Sequence, residues 1–366
     1  MTSARGPVHV TVRARTDLGR TRDHNEDAFL VADLSARTTD LTNGGLHKVG
    51  ERGTVFLVAD GMGGAAAGEL ASSMAADLIF RYLLQHADEV HSGNPEEFAQ
   101  LLRGAVEAAN QHIHTYSKEH PDVRGMGTTA TVAGVVDSTL YLAQVGDSRG
   151  YLVRDGVATQ ITKDQSLMQR LVDAGELTEE EAEQSERRNI ILQALGPDAK
   201  IRVDLTWQEL RRGDTLVICS DGLSGQVKRE EIAALLQRES DLDHLCDQLI
   251  AMANERGGPD NITVVLVRFD GEGLPPPGGG ASGEVGYRSM SNGEPDSDEV
   301  VAVERPRPAS GPTSAPTPPV APSPPPSEVV EAPLTPAVRS GSPATAALLT
   351  GGLLLLLVIL YFLLRP

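Results

Sequence analysis

Residues 54–85 read TVFLVADGMGGAAAGELASSMAADLIFRYLLQ: an apolar strand-like run, an aspartate, a glycine-rich turn and a long helix. That order admits two opposed folds. Gly61-Met62-Gly63-Gly64-Ala65-Ala66 fits the G-x-G-x-x-G/A pattern that cradles a dinucleotide between strand and helix. Two features exclude the dinucleotide reading. Asp60 stands directly before the first glycine, where it would face a bound pyrophosphate, and the next elements are a second helix and a run of strands instead of another βαβ repeat.

Beyond this stretch, β-branched apolar runs predict strands over 9–16, 27–33, 54–60, 129–136, 140–147, 215–221 and 261–269. Asp137-Ser138 and Asp155-Gly156 sit between such runs as hairpin turns, the Asp-Gly pair suiting type I′. Helices are predicted over 66–85, 95–117 and 241–256. The second places Phe98, Leu101, Leu102, Ala105, Val106, Ala109 and Ile113 on one face. Residues 164–188 are also helical in pattern but strongly charged, with a Thr178-to-Glu181 capping box, and read as a surface excursion. Helices between runs of antiparallel strands give an α+β class.

The folded domain is expected to span 1–270. Of the chain's 23 prolines, 17 fall within 271–343, a segment too poor in large apolar residues to offset its ordering entropy, so it is expected to be a disordered linker. Residues 344–364 carry no charge, and at about 1.5 Å per residue they match a bilayer's hydrocarbon core, which predicts a transmembrane helix. The start shows no apolar signal region, so the domain is expected in the cytoplasm, tethered to the membrane. A formal net charge of −19 argues against a nucleic-acid partner. Cys219 and Cys246 lie on apolar runs and read as small buried hydrophobes; two cysteines make no disulfide framework.

The acids carry the functional signal. Asp60, Asp147 and Asp221 each end an apolar strand before a small residue, Asp260 precedes another after a Gly-Gly-Pro turn, and Asp27 opens one. One Asp-Gly after a strand is an ordinary turn. Five strand-end carboxylates, if they meet at one rim, cannot all stay ionised without compensating positive charge. Hard divalent cations with oxygen ligands supply it, and paired ions are the usual arrangement for phosphate-ester hydrolysis.

The segments RDHNED (22–27), VADGMGG (58–64), GMGTTAT (125–131), VGDSRGYL (145–152), CSDGL (219–223) and GGPDNITVVLV (257–267) occur in this order along the chain. Together they resemble the metal-dependent protein serine/threonine phosphatases of type 2C in their bacterial form, over about residues 8–270. The resemblance implies a β-sandwich of two antiparallel sheets flanked by helix pairs, with the site at one end. It implies two Mn²⁺ or Mg²⁺ ions held by Asp60, the Gly61 carbonyl, Asp27, Asp221 and Asp260, with Glu26 and Asn261 supporting them. Asp147 would contribute to a third ion, and Arg22 would grip the substrate phosphate. The implied partners are phosphorylated proteins, among them a serine/threonine kinase and its targets. Two positions depart from the family pattern: Met62 replaces the histidine that eukaryotic relatives carry after Asp-Gly, and Gly225 stands where some relatives place an acid for the third ion. The segment 164–188 corresponds to the flap beside the site, where Arg187 and Arg188 could meet a phosphopeptide.

Overall fold

Among the described residues of the computed structural model every strand pair is antiparallel, unlike the parallel sheet that a dinucleotide fold requires. The structure describes residues 6–39, 41–42, 44–89, 95–278 and 284–290. One sheet runs in the order β3 (Leu46–Lys48), β1 (His9–Asp17), β12 (Ile262–Asp270), β11 (Thr215–Cys219), β8 (Arg149–Arg154), β9 (Val157–Gln160). The other runs β10 (Asp204–Glu209), β7 (Thr139–Val145), β6 (Ala130–Val136), β4 (Thr54–Met62), β2 (Asp27–Asp33), with the short β5 (Gly127–Thr128) paired to the end of β4.

Three apolar layers result from period-two alternation along these strands. Val10, Val12, Phe56, Val58, Leu140, Leu142, Leu216, Ile218, Val265 and Val267 fill the space between the sheets. The opposite face of the second sheet packs under α1 (Ala65–His86) and α2 (Pro95–Glu119), where the whole predicted stripe from Phe98 to Ile113 is buried. The outer face of the first sheet lies under α6 (Arg229–Arg238) and α7 (Leu242–Glu255), and both cysteines are buried there. Burial pushes each thiol up to about 12, which fits inert packing groups. Between β9 and β10 the charged excursion holds α3 (Leu167–Asp173) and α4 (Glu179–Glu183), and the Thr178–Glu181 capping box forms.

Both predicted hairpins are present. Asp137 (φ 52°), and Asp155 with Gly156 (φ 50° and 79°), take the left-handed backbone that tight turns demand. Asp221 does not end a strand as expected. β11 stops at Cys219, and Asp221 is the first residue of α5 (Asp221–Ser224), a single helical turn entered through Ser220.

Ordered packing continues past residue 270. Leu274 is buried in the inter-sheet core, and residues 284–290 lie against β10, so this part of the expected linker is folded onto the domain. The remainder of the expected linker and the apolar run 344–364 fall outside the described residues. Among the described residues, no helix is long and apolar enough to cross a membrane.

Candidate metal centre

The five aspartates come to one end of the sandwich, and the strand register explains why. Asp27 and Asp60 are direct cross-strand partners on β2 and β4, so both side chains occupy one position of the pleat. Asp147 lies where the chain crosses from β7 of one sheet to β8 of the other. Asp221 heads α5 just beyond β11, and Asp260 closes the turn into β12. Carboxylates from both sheets thus meet across the seam, where burial and neighbouring acids raise the proton affinity of Asp27, Asp60, Asp147 and Asp221.

Main-chain hydrogen bonds fix the central acid. Asp60 N donates to Thr129 Oγ1 at 2.9 Å, and Asp60 O accepts from Thr129 N at 2.8 Å and Thr128 Oγ1 at 3.0 Å. Thr128 is itself held by reciprocal bonds with Leu195, the segment returning from the charged excursion. Gly61 N donates to Glu26 O at 3.1 Å. A Cβ at Gly61 would stand 2.2 Å from Gly68 O, so only glycine lets β4 pass this close to α1. Asn261 ties the remaining wall together: its Oδ1 accepts from Glu26 N, and its Nδ2 donates to Leu18 O and His24 O.

The electrostatics are those of crowded, half-desolvated acids. Burial pushes Asp27 up to about 7; the Thr263 and Ser220 hydroxyls, donating at 2.6 and 2.8 Å, pull it back, and Asp221 and Asp260 add to the rise. Asp60 is raised well above the usual carboxylate range by burial, then by Asp27, Asp221, Asp147 and Asp260. Burial and then Asp221 lift Asp147 to about 8, with Arg149 opposing. Asp221 rises through burial and Asp260, offset by a hydrogen bond with Asp60. Glu26 is raised mainly by burial, with Arg22 opposing. Arg22 reaches across the cleft to Asp260, Nη2 to Oδ2 at 2.7 Å, and its guanidinium remains half-exposed.

The donor set suits a hard cation. Asp27 Oδ1, Asp147 Oδ1 and Asp221 Oδ1 are buried oxygens with no hydrogen-bond partner, a costly arrangement for carboxylates that a positive ion would relieve. Among the described residues, no three His, Cys, Asp or Glu side chains close around one point as a ready-made cage. Asp260 is turned to Arg22, and Asp27 to Ser220 and Thr263. Met62 pairs with Gly127 at the end of β4, and its thioether has no acidic proton. Gly225 caps α5, and its N donates to Asp221 O at 2.7 Å; a Cβ there would stand 2.8 Å from that same oxygen.

Several supports of the site carry little signal in the sequence. Thr128 and Thr129 lie within GMGTTAT, but their grip on Asp60 depends on register. Ser220 and Thr263 show no more than a hydroxyl beside a strand. Arg149, bound to Asp164 through Nε at 2.9 Å and Nη2 at 2.7 Å, sets a partly buried cation behind Asp147.

The sequence pattern of the family described as protein phosphatase 2C matches residues 40–266. The serine/threonine phosphatase stp of Listeria monocytogenes is 38% identical over 256 residues, 70% of this chain and 94% of its own. The crystal structure of the Mycobacterium tuberculosis serine/threonine phosphatase PstP superposes with a TM-score of 0.60 at 37% identity, covering 72% of this chain and 99% of that one. The catalytic domain of PstP in complex with two manganese ions gives a TM-score of 0.58 at 36% identity, again covering 72% of this chain and 99% of that one. The chain therefore belongs to the protein phosphatase 2C family.

Proposed function

We propose that this chain hydrolyses phosphoserine and phosphothreonine in proteins at a centre of two divalent cations, Mn²⁺ or Mg²⁺, with Asp147 available to a third. The observation that carries the reading is the trio of buried, unpartnered oxygens on Asp27, Asp147 and Asp221. Asp60, the Gly61 carbonyl and Asp260 complete the donors that would hold the ions. Bound there, such ions make coordinated water acidic enough to serve as a nucleophile and offset charge on the phosphate.

The chain's own residues supply placement. Arg22 uses one guanidinium nitrogen on Asp260 and presents the rest of its planar fork to the cleft, a shape suited to two phosphate oxygens. The Thr128–Thr129 clamp holds the Asp60 main chain, which limits the reorganisation its carboxylate would need when substrate arrives. Asn261 locks Glu26 and the loop bearing Arg22 to the start of β12, which fixes the distance between the phosphate grip and the acids.

The substrate class is that in the names of the relatives, and a serine/threonine kinase and its targets are the partners it would oppose. We place the catalytic domain at the cytoplasmic face of a membrane, held by the apolar run 344–364. Hydrolysis of a chromogenic aryl phosphate tests the core of the reading. Turnover should require Mn²⁺, stop with chelator, and vanish in Asp60→Asn and Asp221→Asn; activity indifferent to chelator would refute it.

A further inference from the structure

A sheet edge presents a row of main-chain donors and acceptors without partners, and β10 is such an edge on the side away from β7. Residues 284–290 run antiparallel along it. Trp207 N donates to Arg288 O at 3.3 Å, Met290 N donates to Leu205 O at 2.8 Å, and Gln208 Nε2 donates to Gly286 O. The Arg288 guanidinium stands 5.3 Å from the Trp207 ring centroid. Met290 packs against the core beneath α1 and α2, and Val285 against the inter-sheet core.

The attachment is light. A single bridge, Thr206 to Ser289, replaces a continuous ladder. The flanking sequences, PPPGGGASG (275–283) and SNGEPDSD (291–298), contain no large apolar residue. Two main-chain bonds to β10 and a few side-chain anchors stand against the ordering entropy of seven residues.

We propose that the β10 edge is a strand-docking surface and that residues 284–290 are its ligand, a separable strap instead of a fixed strand. Main-chain pairing supplies its affinity, and side-chain pattern supplies selectivity: an arginine over Trp207 and, two residues on, an unbranched apolar side chain beside Leu205. The docked strap brings Met290 to the Leu205 end of β10. That end lies against Gln144, three residues from Asp147.

Trp207 is the chain's single tryptophan, so its fluorescence reads strap occupancy directly. In the full-length protein, Met290→Pro removes the N–H that Leu205 O accepts, and Arg288→Ala removes the stacked cation. Each should increase acrylamide quenching of Trp207 severalfold, while the cooperative melt and Mn²⁺-dependent aryl-phosphate turnover stay unchanged. Met290→Pro should also speed tryptic cleavage after Arg288. A synthetic peptide of residues 284–290, titrated to the ~mM effective concentration of a short tether, should restore protection in Met290→Pro saturably. Unchanged quenching in both variants, or a peptide that restores nothing, overturns the proposal. Protection of the wild type that depends on protein concentration would mean that a second copy's strap fills the edge, and would overturn the intramolecular assignment.

Discussion

Asp60→Asn should stabilise the metal-free fold while abolishing the activity, and the acid cluster sets the size of the effect. Asp27 and Asp60 face each other across β2 and β4, and directly opposed side chains stand ~5 Å apart. Two ionised carboxylates at that distance, with an effective dielectric of about 20, repel by about 3 kcal/mol. Protonation of part of the cluster already relieves some of this, so removing the Asp60 charge should recover on the order of 1–3 kcal/mol. For a domain of this size that raises Tm by roughly 3–10 °C.

The pH dependence has a definite sign. Asp27 is raised from 3.8 to about 7 and Asp147 to about 8, so the fold favours their protonated forms. Their contribution to stability is whole below pH ~4, the unfolded value, and is lost as pH rises through the folded values near 7 and 8. Metal-free wild type should therefore melt progressively lower from pH 4 to 8. Asp60→Asn should flatten that slope, because Asp27 and Asp147 each lose a neighbour. Differential scanning calorimetry in chelator at pH 5 and pH 8, then with Mn²⁺, measures all of it. Wild type should gain stability with Mn²⁺, and the variant should gain far less. A variant less stable than wild type in chelator at pH 8, or one with an undiminished Mn²⁺ response, would refute the reasoning.

The same geometry sets other outcomes. Mn²⁺ binding should strengthen between pH 5 and 8 and release protons, visible by titration calorimetry as heats that scale with buffer ionisation enthalpy. Arg22→Ala should raise KM for aryl phosphate about tenfold or more with a smaller change in kcat, since its guanidinium grips a group present in substrate and transition state alike; an unchanged KM would remove Arg22 from phosphate binding. Asp214→Ala removes the buried carboxylate that holds Arg154 at 2.6 and 2.9 Å while the guanidinium keeps its bond to Glu209 O, and should cost about 1–3 kcal/mol in denaturant unfolding without altering turnover per folded molecule. Gly134→Ala would set a Cβ 2.6 Å from the buried Phe98 ring and should cost about 1–3 kcal/mol by overpacking.

Much of this molecule is readable from local signals. The α2 stripe, the Asp-Gly hairpin and the Thr178 capping box are decided within a few residues, and each is present. The five acids are visible as residues flanking strands, but their meeting is a property of register. Asp27 opposes Asp60 only because β2 pairs with β4 at that offset, a choice made by core packing across the sheet. β10 is hidden because its buried positions include Thr206 and Gln208, so DLTWQE lacks a clean apolar alternation. Asp221 resembles a strand end because the apolar run continues to Cys219; the main-chain turn at Ser220 converts the next residue into a helix start. Residues 284–290 do not stand out from their Gly- and Pro-rich surroundings, since their anchors, Trp207 and Leu205, lie some 80 residues away in sequence.

The acids gather from both sheets, with Asp27 and Asp60 on strands of one, Asp221 and Asp260 just beyond strand ends of the other, and Asp147 on the length of chain between them. Their mutual repulsion acts as a wedge at the open end of the sandwich, and a bound cation would act there as a rivet. Metal supply would then govern how long each molecule survives as well as how fast it works: opening should begin at this seam, and protease should find the metal-poor enzyme first.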